Sequence, residues 1–212
     1  MNKIKYLGLI PARGGSKRVR RKNIRMINGK PLIYWSIKYA KESKKLDKVV
    51  VSTEDNEIKK VALEYDAEVL DRPNELAKDN VPDQPVLKHA LENIPAENIV
   101  LLRPTSPIRI YGIIDACIKI YERKKPDSFV AGFINKEYEA FSKPFTYSQK
   151  EKGWFQNSGC CEIHKADVIL SGKPYGKKQY KFLVPDFYNY EIDNEIELIM
   201  VDCLMRRLVD SE

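Results

Sequence analysis

The sequence lacks the long apolar segments and paired cysteines that are typical of membrane and disulfide-stabilised proteins. No apolar run approaches the ~20 residues that a membrane-spanning helix needs, and the apolar stretch Tyr6–Ala12 is too short for a signal peptide. Its four cysteines show no C-x-x-C spacing, which argues against a zinc site and a disulfide framework. We therefore expect a cytoplasmic protein with reduced thiols and no membrane partner.

Internal repeats, low-complexity tracts and linkers rich in proline, glycine or serine are also absent. The chain has 212 residues, of which 43% are hydrophobic, and this is enough to build one full core. A disordered or fibrous protein is excluded by the same composition. We predict a single domain over residues 1–212.

Acidic residues are scarce at the N-terminal end. The first 50 residues contain 15 lysines and arginines but only two acids, Glu42 and Asp47. The formal net charge of the whole chain is +7, whereas residues 51–212 contain 22 basic and 28 acidic residues. The excess of positive charge is therefore local, and it indicates an anionic partner at this end of the chain.

Short apolar runs alternate with segments of helical periodicity, which is typical of an α/β fold. The predicted strands cover residues 6–10, 48–52, 67–70, 98–102, 128–133, 160–164 and 181–184. The predicted helices cover residues 31–43, 57–65, 84–94, 111–124 and 195–209. This order predicts a three-layer structure, with a mostly parallel sheet and helices on both faces. Residues 134–157 have no clean periodicity and are predicted to form a flap or a dimer contact.

A basic turn with two glycines follows the first predicted strand. Seven cationic side chains and no acid lie in Arg13–Arg25, directly around Gly14 and Gly15. Paired glycines allow backbone N–H groups to turn towards an anion, which Arg and Lys side chains then neutralise. The spacing matches neither a P-loop nor G-x-G-x-x-G. We predict a triphosphate or polyphosphate site, with a solvated basic loop or a nucleic-acid-binding patch as the alternative.

Five blocks of the sequence resemble, in order, the acylneuraminate cytidylyltransferases, or CMP-sialic acid synthetases. The blocks are LIPARGGSK at 9–17 with RKNI at 21–24 and GKPL at 29–32, VSTED at 51–55, RPNELAKD at 72–79, LLRPTSPIR at 101–109, and EIDNE at 191–195. The resemblance implies a Rossmann-like nucleotidyltransferase that moves CMP from CTP to the anomeric hydroxyl of an α-keto acid sugar and releases pyrophosphate. It also implies a homodimer, Mg²⁺ with Mn²⁺ as an alternative ion, and no nucleic-acid partner.

The same resemblance assigns the nucleotide site. It implies nucleotide binding by Arg13, Gly14, Gly15, Ser16, Lys17, Lys22, Asn23 and Arg72. Arg13, Lys17 and Lys22 would hold the triphosphate, with a solvated loop charge as the alternative for Lys17, and Arg13, Lys22 and Asp193 would carry the catalysis. Arg72 would face the cytosine, where a guanidinium bonds to the ring carbonyl or stacks on the base. The alternative for Arg72 is a loop arginine that pairs with Glu75 or Asp79.

A pair of carboxylates is implied as the metal site. Glu191 and Asp193 match the carboxylate pair of the family, and alternate residues of an extended segment point to the same side. Two carboxylates together with phosphate oxygens and water suit Mg²⁺. The alternative for Asp193 is to cap the last helix, where Asn194 and Glu197 form a capping pair in any case.

The acceptor side departs most from the family pattern. Arg103 replaces a glutamine and Glu162 replaces a tyrosine, while Ser106 is retained as a sugar-binding candidate. Either Arg103 and Glu162 pair with each other across adjacent strands, or they select an acceptor other than N-acetylneuraminate, such as a diamino sugar acid or an eight-carbon Kdo-type acid.

Two further functions stay open at this point. One is a nucleotidyltransferase of the same fold that uses a Kdo-type sugar or another nucleotide. The other is a non-catalytic nucleic-acid-binding domain, which would spread its cations over a face among aromatic side chains rather than gather them at one glycine turn.

Overall fold

A seven-stranded sheet forms the centre of the computed structural model, which describes residues 4–135 and 153–209. Its strands are β1 (Ile4–Pro11), β4 (Lys48–Thr53), β5 (Glu68–Asp71), β6 (Ala96–Leu101), β7 (Ser128–Asn135), β8 (Trp154–Lys165) and β9 (Gln179–Leu183). They lie in the order β5-β4-β1-β6-β8-β7-β9. Two short strands, β2 (Met26–Ile27) and β3 (Lys30–Pro31), form a separate hairpin.

The prediction of a mostly parallel sheet is confirmed. β1 pairs in parallel with β4 and β6, β4 with β5, and β7 with β9. Only β8 runs antiparallel to both of its neighbours, β6 and β7. After β1 the chain adds β4 and then β5 on one side of β1. β6 then pairs with β1 on its other side. In such sheets ligands bind where the strand order reverses, beyond the carboxyl ends of the strands, which are here those of β1 and β6.

Six helices cover the sheet in the described part of the chain. They are α1 (Leu32–Glu42), α2 (Asn56–Glu64), α3 (Asp83–Asn93), α4 (Ile113–Lys124), α5 (Ala166–Leu170) and α6 (Glu195–Val209). Alternate residues of β1 enter two separate cores: Leu7 and Leu9 pack with α3 and α5, whereas Tyr6 and Ile10 pack with α1, α2, α4 and α6. The sheet therefore has helices on both faces, and the predicted three-layer fold is confirmed.

The irregular segment predicted at residues 134–157 is shorter than expected. β7 continues to Asn135 and β8 begins at Trp154, and these two residues pair with each other. The first half of β8 has few apolar residues and so shows little alternation, yet its backbone pairs with β7 all the same. Residues 136–152, and with them most of the predicted flap or dimer contact, lie outside the described residues.

The β2–β3 hairpin was not predicted, although its turn is encoded in the sequence. Asn28 and Gly29 connect the strands with φ values of 45° and 70°. A two-residue Asn-Gly turn with both φ values positive is the favoured connection of a hairpin. None of the described helices has both the length and the apolar character that a bilayer span requires.

Candidate active site

A cavity of about 550 Å³ opens beyond the carboxyl ends of β1 and β6. Its charged lining consists of seven cationic side chains (Arg13, Lys17, Arg18, Lys22, Arg72, Lys78, Arg103) and four acidic ones (Asp79, Asp83, Glu191, Asp193). Residues from four of the five sequence blocks meet here: 9–17, 72–79, 101–109 and 191–195. The cavity carries a net positive charge, which suits a polyanionic ligand with bound cations.

The basic turn divides its charges between this cavity and the surrounding scaffold. Arg13, Lys17, Arg18 and Lys22 line the cavity. By contrast, the guanidinium of Arg21 holds the carboxylate of Asp55 at 2.6 and 3.1 Å. The guanidinium of Arg25 likewise donates two hydrogen bonds to the carboxylate of Glu195, of 3.1 and 3.2 Å. The cations that the sequence shows as one cluster therefore include both ligand-facing and structural residues.

Asp79 occupies the cations of the predicted phosphate site. Its carboxylate lies 2.7 Å from Nη1 of Arg13 and 2.5 Å from Nζ of Lys17. The hydrogen bond from Lys17 is the largest of the effects that lower the pKa of Asp79, and the charge of Arg13 adds to it. A carboxylate of the protein itself thus pairs with two of the side chains that are predicted to bind a triphosphate.

The backbone of Gly14 contacts a carboxylate of the protein itself. Gly14 and Gly15 are not among the lining residues, and the N–H of Gly14 donates to Oε1 of Glu54 at 2.7 Å. A Cβ at Gly14 would lie 2.3 Å from Oδ2 of Asp55, whereas at Gly15 it would meet open space. The N–H of Gly14 is therefore occupied by the carboxylate of Glu54, which reaches it because β4 runs beside β1 and brings the loop after β4 next to this turn.

Ser16, Lys22 and Asn23 line the cavity as predicted, and the latter two also fix its shape. Nδ2 of the buried Asn23 donates to the carbonyl of Arg13 at 2.9 Å. Nζ of Lys22 donates to the carbonyl of Ile192 at 2.6 Å and lies 3.3 Å from Oδ1 of Asp193. Lys22 therefore connects the basic turn with the predicted metal side.

Arg72 lines the cavity and pairs with Glu54, so the expected alternative partners Glu75 and Asp79 are wrong. Its Nη2 lies 2.6 Å from Oε2 of Glu54, and its side chain is only 3% exposed. No described residue accepts a hydrogen bond from its buried Nε. The sequence showed Glu54 only as part of a block, with no sign that it would contact Arg72.

The carboxylates of Glu191 and Asp193 both line the cavity. Oγ1 of Thr105 donates to Oε1 of Glu191 at 2.8 Å, and the carbonyl of Thr105 accepts from the N–H of Ile192 at 2.8 Å. Oδ1 of Asp193 lies 3.0 Å from the guanidinium of Arg18. The turn after β6 therefore holds this carboxylate pair against the basic turn.

The last helix is capped without the side chain of Asp193. The N–H of Glu197 donates to Oδ1 of Asn194 at 2.9 Å, and the N–H of Asn194 donates to Oε2 of Glu197 at 3.1 Å. This is the reciprocal capping pair that the sequence predicts. The carboxylate of Asp193 lines the cavity and does not cap the helix. The alternative role of Asp193 as the N-cap is therefore wrong.

The donor set fits a magnesium ion that is shared with phosphate. Within residues 4–135 and 153–209, no group of three or more His, Cys, Asp or Glu side chains is placed to hold a metal. The protein therefore offers the two carboxylates of Glu191 and Asp193. Magnesium is usually bound by one or two carboxylates, with substrate phosphates and water as the remaining ligands.

Arg103 and Glu162 pair with each other, which is the first of the two alternatives for them. Glu162 lies opposite Leu101 in the β6–β8 register, and its carboxylate contacts the guanidinium of Arg103. Arg103 also contacts Asp83 at the start of α3. Glu162 is only 2% exposed and does not line the main cavity, so its predicted direct role towards the sugar is not supported by its position.

A second cavity of about 370 Å³ adjoins the first on the α3 side of the sheet. Arg103, Asp83 and Val81 line both cavities, whereas Glu162 and His164 line only the second. Burial, and next to it the charge of Arg103, lowers the pKa of His164 to about 4. The imidazole is therefore neutral at pH 7, and the charges in this region are those of Arg103 and its two carboxylate partners.

Ser106 is not in the cavity, in contrast to its predicted role in sugar binding. It is 1% exposed and lies under Gly159, where a Cβ would be 2.2 Å from its Oγ. Its neighbour Thr105 takes the position that faces the ligand space. In a turn with an irregular backbone, sequence alone does not tell which of two adjacent hydroxyls points inward.

Arg109 supports this turn from within the core, and sequence reasoning gave it no role. Its guanidinium donates to the carbonyls of Arg103 at 2.7 Å, Cys160 at 2.6 Å and Gly159 at 3.1 Å. Burial lowers its pKa to about 10, so it still carries its charge at pH 7. The sequence feature that could have pointed to Arg109 is its position at the end of the block 101–109.

Comparisons with known proteins identify the family and support the fold. The family model described as cytidylyltransferase matches residues 7–202. The N-acylneuraminate cytidylyltransferase of Escherichia coli is 40% identical over 56% of the chain, and a pseudaminic acid cytidylyltransferase of Campylobacter jejuni is 41% identical over 50%. The solved structure of a CMP:2-keto-3-deoxy-manno-octonic acid synthetase with CTP has a TM-score of 0.75 at 16% identity, and covers 96% of this chain and 99% of that one.

The matched segments span less than half of the length of each of these two curated relatives. They cover 28% of the Escherichia coli protein and 48% of the Campylobacter jejuni protein. At 16% identity, the solved synthetase supports the fold but not the choice of substrate.

Proposed function

The chain belongs to the cytidylyltransferase family, and from this premise we propose that it transfers CMP from CTP to the anomeric hydroxyl of a sialic-acid-like α-keto acid sugar. In this reaction the anomeric oxygen forms a bond to the α-phosphorus of CTP, and the bond from that phosphorus to the bridging oxygen breaks. The hydroxyl proton leaves to solvent and pyrophosphate is released. The observation that carries the proposal is one cavity in which Arg13, Lys17 and Lys22 face Glu191 and Asp193.

The cationic side chains supply what phosphoryl transfer requires. Such reactions need little covalent help from the protein and depend on positioning and on neutralisation of negative charge. Arg13 and Lys17 already pair with a carboxylate, Asp79, and would exchange it for phosphate oxygens. Lys22 is fixed by the Ile192 carbonyl and is thus held ready without a further loss of side-chain freedom.

Glu191 and Asp193 would hold the divalent cation. A bound Mg²⁺ would neutralise phosphate charge and orient the triphosphate, and Mn²⁺ is the alternative ion. The hydroxyl of Thr105 fixes Glu191, and Asp193, which does not cap α6, would share its carboxylate between the cation and the contacting Arg18 and Lys22.

Arg72 is the proposed base-side residue. Its Nη2 is held by Glu54 and its Nε has no partner among the described residues, so a buried donor remains for a carbonyl of the ligand. Cytosine carries such a carbonyl, but uracil does too. Preference for cytosine therefore needs further groups, and the proposal of CTP rests on the family and its named relatives.

The acceptor is proposed to be a nine-carbon α-keto acid sugar that differs from N-acetylneuraminate. Relatives carry names that include neuraminate, pseudaminic acid and N,N'-diacetyllegionaminic acid. In this chain Arg103 forms part of the cavity wall and is bound to Glu162 and Asp83. The pairing with Glu162 explains why Arg103 is present, but its guanidinium still lines the cavity, so we propose that it also changes the polar groups that an acceptor meets and makes N-acetylneuraminate a poor substrate.

A pyrophosphate-release assay tests the proposal. Initial rates are measured with CTP, Mg²⁺ and a panel of acceptors that includes N-acetylneuraminate, pseudaminic acid, N,N'-diacetyllegionaminic acid and Kdo. We expect release with at least one nine-carbon acid and slower release with N-acetylneuraminate. Equal or faster turnover of N-acetylneuraminate would contradict the acceptor proposal, and faster turnover of Kdo would favour the eight-carbon alternative.

A matched pair of variants ties the activity to this cavity. Lys22→Met removes a lining cation, and we expect at least a hundredfold loss of kcat/KM. Lys44→Met removes an exposed lysine outside the cavity and should leave the rate within about twofold. Salt-sensitive RNA binding without pyrophosphate release from any acceptor would favour the nucleic-acid-binding alternative instead. The homodimer and the cytoplasmic location stay predictions.

A further inference from the structure

We infer that Glu54, which does not line the cavity, is a positioning residue that fixes the phosphate-side turn and the base-side Arg72 relative to each other. The inference rests on the proposed function for the assignment of these two ends. It adds a role that neither the family match nor the cavity lining provides. Its consequence is that one carboxylate outside the cavity determines binding at both ends of the nucleotide.

The carboxylate of Glu54 uses its two oxygens for two different segments. Oε1 accepts from the N–H of Gly14 at 2.7 Å, and Oε2 accepts from Nη2 of Arg72 at 2.6 Å. The side chains of Glu54 and Arg72 are 13% and 3% exposed. Hydrogen bonds to a charged group in such a partly dry environment are stronger than those between neutral groups.

Backbone contacts hold Glu54 between its two partners. The N–H of Ala12 donates to the carbonyl of Ser52 at 2.9 Å, and the N–H of Arg72 donates to the carbonyl of Thr53 at 2.9 Å. The next residue, Asp55, caps α2 through two hydrogen bonds of 3.0 Å. Because the residues on both sides of Glu54 are anchored in this way, Glu54 cannot follow one partner without losing the other.

Only a carboxylate satisfies both partners. Gly14 N–H and Arg72 Nη2 are both donors, and a carboxylate accepts at each of its oxygens. A glutamine has one acceptor oxygen, and its NH₂ group would face the second donor. Replacing Glu54 by glutamine therefore breaks one contact whichever way the amide is turned. The loss of the charge weakens the other contact as well, so neither segment keeps its fixed position.

The test separates the two ends of the nucleotide. Cytidine probes the base end and inorganic tripolyphosphate probes the phosphate end, and the affinity of each is measured by titration calorimetry or by competition with CTP. We expect Glu54→Gln to weaken both probes by about tenfold. Lys17→Met should weaken tripolyphosphate much more than cytidine, and Arg72→Met should do the reverse.

Two controls exclude a general loss of structure. Glu57→Gln removes a neighbouring exposed carboxylate that pairs with Arg21, and both probes should bind it as they bind the wild type. Ile118→Val lowers stability from within α4, far from Glu54, and should also leave both affinities unchanged. Should Glu54→Gln not fold, Glu54→Asp keeps the charge but is one methylene too short to reach both partners, and the same double loss is expected.

The outcomes distinguish this inference from the function on which it rests. If the wild type binds both probes and Glu54→Gln binds either of them equally well, the inference is overturned and the proposed function stands. If the wild type binds neither probe nor CTP, the proposed function fails, and the inference fails with it.

Discussion

Arg103 contacts the buried carboxylate of Glu162 and closes the main cavity on its α3 side. The pair forms because β8 runs antiparallel beside β6, which sets Glu162 opposite Leu101, just before the turn that carries Arg103. The same guanidinium also contacts the carboxylate of Asp83. Arg103 and Glu162, which stand where the family pattern has glutamine and tyrosine, thus form an ion pair. Through Arg103, this pair shapes the wall of the cavity in which the acceptor is proposed to bind.

The coupling of this pair can be measured as a stability difference. Arg103→Gln leaves Glu162 buried without its cation, and we expect it to lower the free energy of unfolding by about 3 kcal/mol. In the Arg103→Gln/Glu162→Gln double variant at least half of this loss should return, because no unpaired charge remains. Urea unfolding at pH 7 provides the comparison. Strictly additive effects of the two substitutions would show that the pair is not coupled.

Asp79 is expected to compete with the nucleotide for Arg13 and Lys17. Asp79→Asn removes the competing negative charge, so KM for CTP should fall by about threefold to tenfold, most clearly at low ionic strength. Asp71→Asn, which alters an exposed carboxylate paired with Lys59, serves as the control. A rise in KM for the Asp79 variant would instead mean that this carboxylate helps to hold the bound nucleotide.

His164 predicts a loss of stability under mildly acidic conditions. Burial lowers its pKa from 6.5 to about 4, so below pH 6.5 the unfolded chain binds a proton that the folded chain does not. The contribution of this group is fully present above pH 6.5, and it declines as the pH falls towards 4, by up to about 3 kcal/mol. His164→Phe should flatten this part of the profile of unfolding free energy against pH. An unchanged slope in the variant would contradict the assignment.

The metal proposal predicts an effect for each of the two carboxylates. Asp193→Asn should raise the Mg²⁺ concentration for half-maximal activity by more than about tenfold, because a hard cation loses an anionic ligand. Glu191→Gln should raise it as well, because here too the cation loses an anionic ligand. Glu195→Gln, which alters the partner of Arg25, is the matched control. A magnesium dependence that is the same in all three variants would exclude these residues as ligands.

Most of the fold followed from the sequence because β/α alternation is a pattern of periodicity. The seven predicted strands and five predicted helices all exist, and the last helix has the predicted bounds, Glu195–Val209. The family resemblance is confirmed by the match over residues 7–202. The direction of β8 could not be predicted from this pattern, because the alternation of apolar residues is the same for a parallel and an antiparallel strand.

The site was harder to predict wherever a polar residue contacts another part of the chain. Arg13, Lys17, Lys22 and Arg72 line the cavity, since residues after strand ends gather at one edge of a parallel sheet. The N–H of Gly14 faces Glu54 instead of a ligand, and Ser106 lies under Gly159. These contacts depend on how the loops fold over each other, and a single sequence has no periodic signal for them.

The most direct test of the central claim follows the phosphorus atoms of CTP by ³¹P NMR. With Mg²⁺ and a nine-carbon α-keto acid sugar as acceptor, the proposal predicts that the CTP signals decline while a phosphodiester and pyrophosphate appear in equal amounts. The Lys22→Met variant should show neither product on the same time scale. CTP that stays intact with every acceptor tested, or that yields CDP and inorganic phosphate, would contradict cytidylyl transfer.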